Sequence, residues 1–176
     1  MTKKELTKKQ IQKRASKIKL ILVDVDGVLT DTGVYYSAEG EALKRFSIRD
    51  GMGVERLRNL ADVECGIISG ENSEIVKRRA EKLNIEEIHL GVKYKADVFE
   101  EILQRKNLTS GEVAYIGDDT NDLEIMLAAG LTACPSDATK FAKDAADVVV
   151  KNPGGNGAFR DFAEIIIQAK LKKSKD

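Results

Sequence analysis

The stretch "KLILVDVDGVLTD", Lys19–Asp31, carries four apolar residues straight into two aspartates one residue apart. An unbroken apolar run reads as a strand covered on both faces, because a half-exposed strand alternates. Asp24 and Asp26 close that strand, and the period of two along a strand points them the same way. Two like charges at the end of a buried strand are costly. Either the pair forms an acidic turn, or the two carboxylates are held together to do chemistry.

Working outward, the same kind of run recurs. Strands are expected at 18–24, 63–69, 86–90, 112–117, 131–134 and 147–150, with helical stretches near 51–60, 72–83, 95–106, 121–129, 137–144 and 156–171. This alternation predicts an α/β fold with a doubly wound, mostly parallel, Rossmann-like sheet. One segment breaks the rhythm. "TGVYYSAEGEALKRFS", Thr32–Ser47, reads as a β-hairpin turning at Glu39-Gly40, inserted after the first strand. An isolated hairpin is marginally stable in water, so this one predicts a cover: a partner subunit or the mouth of a site.

A chain of 176 residues suits one domain with a single core. With 29 Lys and Arg against 29 Asp and Glu, the net charge gives no argument for nucleic acid. Residues 1–19 nevertheless carry eight Lys or Arg against one Glu, so we set 1–17 apart as a basic arm or helix, 18–172 as the domain and 173–176 as a tail. The arm has no interleaved aromatics, which weighs against nucleic acid, and no apolar core of a signal peptide. No apolar run reaches membrane-spanning length, so no membrane partner is expected. Cys65 and Cys134 match no metal spacing and read as buried free thiols in a reducing, cytoplasmic setting. His89 stands alone and reads as structural.

In such sheets, ligands bind beyond the carboxyl ends of the strands. Those ends hold Asp24 and Asp26, then Ser69-Gly70, then Gly117-Asp118-Asp119 with Asp122, while Lys95 opens a helix just past Gly91. Asp24, Asp26 and Asp118 together would repel, with raised pKa values, unless a cation compensates. Mg²⁺ suits an all-oxygen site that also takes phosphate. Ser69 and the Gly70 amide can hold phosphate oxygens where the next helix begins, Lys95 adds charge against the phosphoryl group, and Gly27 lets the backbone approach closely. One carboxylate can then attack phosphorus, while the second, its pKa raised by its neighbour, protonates the leaving oxygen and later activates water. Each motif alone has an ordinary reading as a turn or a helix cap. Their order, one per strand end, is what singles out the chemistry.

"DVDGVLTD", "IISG", Lys95 and "YIGDDTND" resemble the four motifs of the haloacid dehalogenase superfamily of phosphotransferases. The resemblance covers the chain from about Lys19 to the C-terminal helix. It implies that Asp24 is the nucleophile, Asp26 the general acid/base, and that Mg²⁺ binds Asp24, Asp118 and the Asp26 carbonyl. It also implies that Ser69 and Lys95 hold the phosphoryl group; Asp119 and Asp122 match acidic positions in supporting roles.

Many members of that superfamily insert a cap domain. Here only 42 residues separate Asp26 from Ser69, so there is no room for one. "FSIRDGMGV" and "GGNGAFRDF" further resemble the capless phosphatases of 3-deoxy-D-manno-octulosonate 8-phosphate and of nonulosonate 9-phosphates. That likeness implies a cytoplasmic homotetramer serving cell-surface carbohydrate (lipopolysaccharide) synthesis, with hairpins assembled between subunits. It makes Gly154–Gly157 a mobile loop and Arg160 a contact for substrate anion. Glu71, where octulosonate enzymes commonly carry Arg, and Lys82 look more like the 2-keto-3-deoxynononate 9-phosphate type. The competing readings are a general sugar-phosphate phosphatase and a non-catalytic oligomerisation domain like that fused to acylneuraminate cytidylyltransferases. A signalling receiver domain fits less well, because its acceptor aspartate follows the third strand, where this chain has His89-Leu90-Gly91.

Overall fold

The apolar run folds as strand β1, Leu20–Val23, at the centre of a sheet. The computed structural model describes residues 6–173; residues 1–5 of the basic arm and 174–176 of the tail lie outside them. A hairpin comes next, β2 (Val34–Ser37) and β3 (Gly40–Lys44), and then β4 (Glu64–Ile68), β5 (Glu87–His89), β6 (Val113–Ile116), β7 (Leu131–Cys134) and β8 (Val148–Val149). The main sheet has the order β5-β4-β1-β6-β7-β8, and every pairing in it is parallel. The chain winds first to one side of β1 and then crosses to the other. The switch point, where such sheets open a crevice, therefore falls at the end of β1 beside β6.

Helices α1 (Lys8–Ala15), α2 (Ile48–Ala61), α3 (Glu74–Leu83), α4 (Lys95–Lys106), α5 (Leu123–Ala128), α6 (Lys140–Ala145) and α7 (Ala158–Lys173) complete the order. Alternate residues of β1 face opposite layers. Ile21 and Val23 pack with Leu57 of α2, Val76 of α3 and Phe162 of α7. Leu20 and Leu22 pack with Phe99 and Ile102 of α4 and Met126 of α5. Burying side chains of this size stabilises by about 1.5–3 kcal/mol each, which is why β1 tolerates no polar residue until it ends.

The basic arm is helical over most of its described part. Thr7 and Gln10 form a capping box at the start of α1, Ala15 is fully buried and the helix packs against α7. The glycine run after β8 packs against the turn that follows β1. A Cβ on Gly154 would lie 1.9 Å from the Gly27 carbonyl oxygen, and the Gly155 amide donates to Val28 O at 2.9 Å. Asp50 of α2 fixes the start of α7, accepting from the Gly157 and Arg160 amides at 3.1 and 2.9 Å. The hairpin stands outside the sheet, with Tyr35, Tyr36 and Leu43 60, 74 and 64% exposed.

Candidate active site

β1 ends at Val23 with its apolar run, one residue short of the expected strand 18–24, and the main chain turns at once. Val25–Leu29 forms a single tight turn, closed by the Thr30 amide on Val25 O at 3.0 Å. Gly27 sits there at φ 92°, and a Cβ on it would lie 2.1 Å from Asp118 Oδ2. Glycine is therefore required twice over, by the left-handed backbone and by the carboxylate beside it. The parallel pairing of β1 with β6 brings the ends of those strands side by side, and with them Asp24 and Asp118.

Asp24 is buried, and Lys95 Nζ donates to its Oδ1 at 2.7 Å. The same ammonium lies 2.7 Å from Asp122 Oδ1 and 3.3 Å from the Tyr115 hydroxyl. Asp122, fully buried, also accepts from Tyr115 and, through Oδ2, from the Asp118 and Asp119 amides at 2.9 and 3.3 Å. It is thus the strut that shapes the loop carrying Asp118. Asp119 accepts from the Thr120 amide at 2.7 Å and caps the short turn after it. Lys95 is thus shared between two carboxylates, Asp24 and Asp122.

Burial, and then the Asp122 carboxylate, push Asp24 up to about 7 against the pull of Lys95. Burial, and then Asp24 and Asp122, push Asp118 up to about 8. Burial opposes the Lys95 ammonium, yet Asp24 and Asp122 hold it above the usual lysine range. The acid that presses on Asp24 is therefore Asp122 and not, as the strand period suggests, Asp26. The Asp26 carboxylate is held instead by Lys44 Nζ at 2.6 Å and, more weakly, by Thr30 Oγ1 at 3.4 Å.

Asp24, Asp26, Ser69, Gly70, Glu71 and Asp118 line one cleft of about 250 Å³. Ser69 is buried, and its Oγ accepts from the Glu71 amide at 3.2 Å. The next helix does not begin there. α3 starts at Glu74 with Ser73 as its cap, so a short loop separates Ser69 from the helix N-terminus. Lys82 lies on the last turn of α3, at the opposite edge of the sheet from Asp24. Arg160 is half-buried on α7 and directs Nε to Glu164 at 2.8 Å. Lys44, Thr30 and Tyr115 escaped the sequence reading: a lysine in a hairpin and a tyrosine inside "VAYI" carry no signal of their own. Cys65 and Cys134 are free, and burial pushes both thiols up to about 12. His89 Nε2 lies 2.6 Å from Glu87, a structural pairing.

The donor set fits a hard divalent cation. Carboxylate oxygens of Asp24, Asp118 and Asp122 lie within 4.8 Å of one another, and burial together with the neighbouring carboxylates holds the first two above the ordinary carboxylate range. Asp122 already accepts four hydrogen bonds, so Asp24 and Asp118 are the carboxylates that would bind the ion. No helix among the described residues is long and apolar enough to cross a membrane.

Residues 58–160 match the family model of the haloacid dehalogenase-like hydrolases. The chain is 39% identical to the 3-deoxy-D-manno-octulosonate 8-phosphate phosphatase KdsC of Haemophilus influenzae, over 93% of this chain and 91% of that one. The cobalt-bound structure of the Haemophilus influenzae phosphatase superposes with a TM-score of 0.87, covering 92% of this chain and 94% of that one. The Moraxella catarrhalis enzyme, solved with magnesium, phosphate and KDO, is 32% identical with a TM-score of 0.89, covering 94 and 95%. The chain therefore belongs to the haloacid dehalogenase-like hydrolases, within the capless 3-deoxy-D-manno-octulosonate 8-phosphate phosphatase family, and is a phosphoric monoester hydrolase.

Proposed function

We propose that the protein is a Mg²⁺-dependent phosphatase of a 3-deoxy-2-ulosonic sugar acid, acting on octulosonate 8-phosphate or 2-keto-3-deoxynononate 9-phosphate. The observation that carries the reading is the single cleft in which Asp24, Asp26, Asp118 and Ser69 meet, with Lys95 paired to Asp24. Ser69 and the Gly70 amide hold the phosphate oxygens. An Asp24 oxygen attacks phosphorus while the bond to the sugar oxygen breaks, and Asp26 gives that oxygen its proton. Asp26 then takes a proton from water, which attacks the aspartyl-phosphate and returns Asp24 with release of phosphate. A Mg²⁺ ion on Asp24, Asp118 and the Asp26 carbonyl, when bound, offsets the charge that gathers on the phosphoryl oxygens.

The relatives' names support the sugar acid. Of the two positions that resemble the nononate type, Glu71 lines the cleft and Lys82 does not. The exposed hairpin supports a homotetramer in which a neighbour helps close each site. The test is kcat/KM for octulosonate 8-phosphate, nononate 9-phosphate, N-acetylneuraminate 9-phosphate and a hexose phosphate. One of the ulosonates is expected to lead, and a leading hexose phosphate sinks the assignment in favour of a general sugar-phosphate phosphatase.

A further inference from the structure

One charged side chain is buried against the cleft from outside the sheet. Lys44, the last residue of β3, has a side chain only 1% exposed, with Nζ 2.6 Å from Asp26 Oδ1 and 3.2 Å from Glu41 Oε2. Glu41 in turn accepts from the hydroxyl of Ser73, the cap of α3. The hairpin strand β3 is therefore tied at Lys44 to Asp26 and at Glu41 to the cap of α3. Desolvating an ammonium is costly unless it is paired, and the partners that hold this one are Asp26 and Glu41. The other contact to the Asp26 carboxylate, Thr30 Oγ1 at 3.4 Å, is too long to fix it.

We propose that Lys44 is a positioning residue for proton transfer to the leaving oxygen, clamping the Asp26 carboxylate by Oδ1 and linking that clamp to the hairpin. An ammonium only donates, so Oδ1 is occupied as an acceptor and the proton delivered to the sugar oxygen rides on Oδ2. The proposal rests on the reading of Asp26 as the acid/base.

Substrates that differ in their need for that proton separate the possibilities. Octulosonate 8-phosphate expels an alkoxide that must be protonated; 4-nitrophenyl phosphate expels a stable phenolate. The ratio of their kcat/KM values reports proton delivery in the first chemical step. Lys44→Met is expected to lose at least about tenfold more on the sugar phosphate than on the aryl phosphate, a part of what general acid catalysis contributes. Lys44→Arg, which keeps the charge and the donors, is expected to recover most of the ratio. Equal losses on both substrates, or no loss on either, overturn the proposal. Asp26→Asn is the control. If it lowers both substrates equally, the acid/base reading falls and Lys44 falls with it. If it shows the unequal loss while Lys44→Met does not, the Lys44 proposal alone is overturned.

Discussion

Asp24 and Asp122 share one ammonium: Lys95 Nζ lies 2.7 Å from Oδ1 of each. Removing it leaves two buried carboxylates without their counter-charge. Breaking a buried ion pair from one side costs about 3–5 kcal/mol. Lys95→Met is therefore expected to lower the unfolding free energy by about that amount and to lose activity with it. Urea denaturation at constant m-value checks the first and steady-state turnover the second. A variant as stable as the parent contradicts the shared-ammonium account.

The proposed nucleophile makes a sharper case, because asparagine keeps the shape of aspartate. Asp24→Asn is expected to abolish phosphate release, by a factor above about 10³, with the circular dichroism spectrum unchanged. Near-normal turnover in a folded Asp24→Asn protein rules out the aspartyl-phosphate route.

In chelated protein, Asp24 is pushed up to about 7 and Asp118 up to about 8, against 3.8 in the unfolded chain. Between these limits the folded chain holds protons that the unfolded chain has released. Stability is therefore fully present below 3.8 and lost as pH rises through about 7 to 8. The Tm in EDTA is expected to fall from about pH 6 to about pH 8, and Mg²⁺ to raise Tm more at the higher pH. Asp118→Asn should flatten the slope. Thermal scans with and without Mg²⁺ decide it, and a Tm rising over this range in EDTA contradicts the assignment.

Glu71 lines the cleft at a position where the sequence resemblance expects arginine in an octulosonate enzyme. Glu71→Arg is expected to shift the kcat/KM ratio toward octulosonate 8-phosphate over the nononate ester by about tenfold, roughly one charge-assisted contact. An unchanged ratio removes Glu71 from substrate choice.

Tyr35, Tyr36 and Leu43 leave an apolar hairpin surface exposed on one chain. If subunits meet there, the double change Tyr36→Glu and Leu43→Glu places like charges in the contact and lowers the mass toward monomer. Light scattering after size exclusion reads the result directly. A tetramer that survives both changes assembles elsewhere.

The fold was legible because β1 and β6 are buried on both faces and advertise it as unbroken apolar runs, while β4 is buried from Gly66 to Ile68. The same runs located Asp24, Ser69 and Asp118, since each lies just past the end of its strand. What escaped depends on contacts between distant segments. Period-two reasoning paired Asp24 with Asp26, yet the strand stops at Val23 and the turn carries Asp26 to Lys44. Asp122 read as an ordinary member of an acidic motif; only Tyr115, Lys95 and two amides converging on it make it a strut. Nothing in the composition of the glycine run shows that Gly27 and Thr30 lie beside it.

That last contact orders events in time. Gly154 seats on Gly27 across 127 residues of chain, a closure far more distant than the β1–β4 pairing. During synthesis, Asp24, Ser69, Lys95 and Asp118 all leave the ribosome before the segment that braces the turn after Asp24. A nascent chain stopped short of Gly154 carries Asp24, Asp26 and Asp118 and is expected to be inert. Phosphatase activity thus becomes a late reporter that the C-terminal part of the chain has docked.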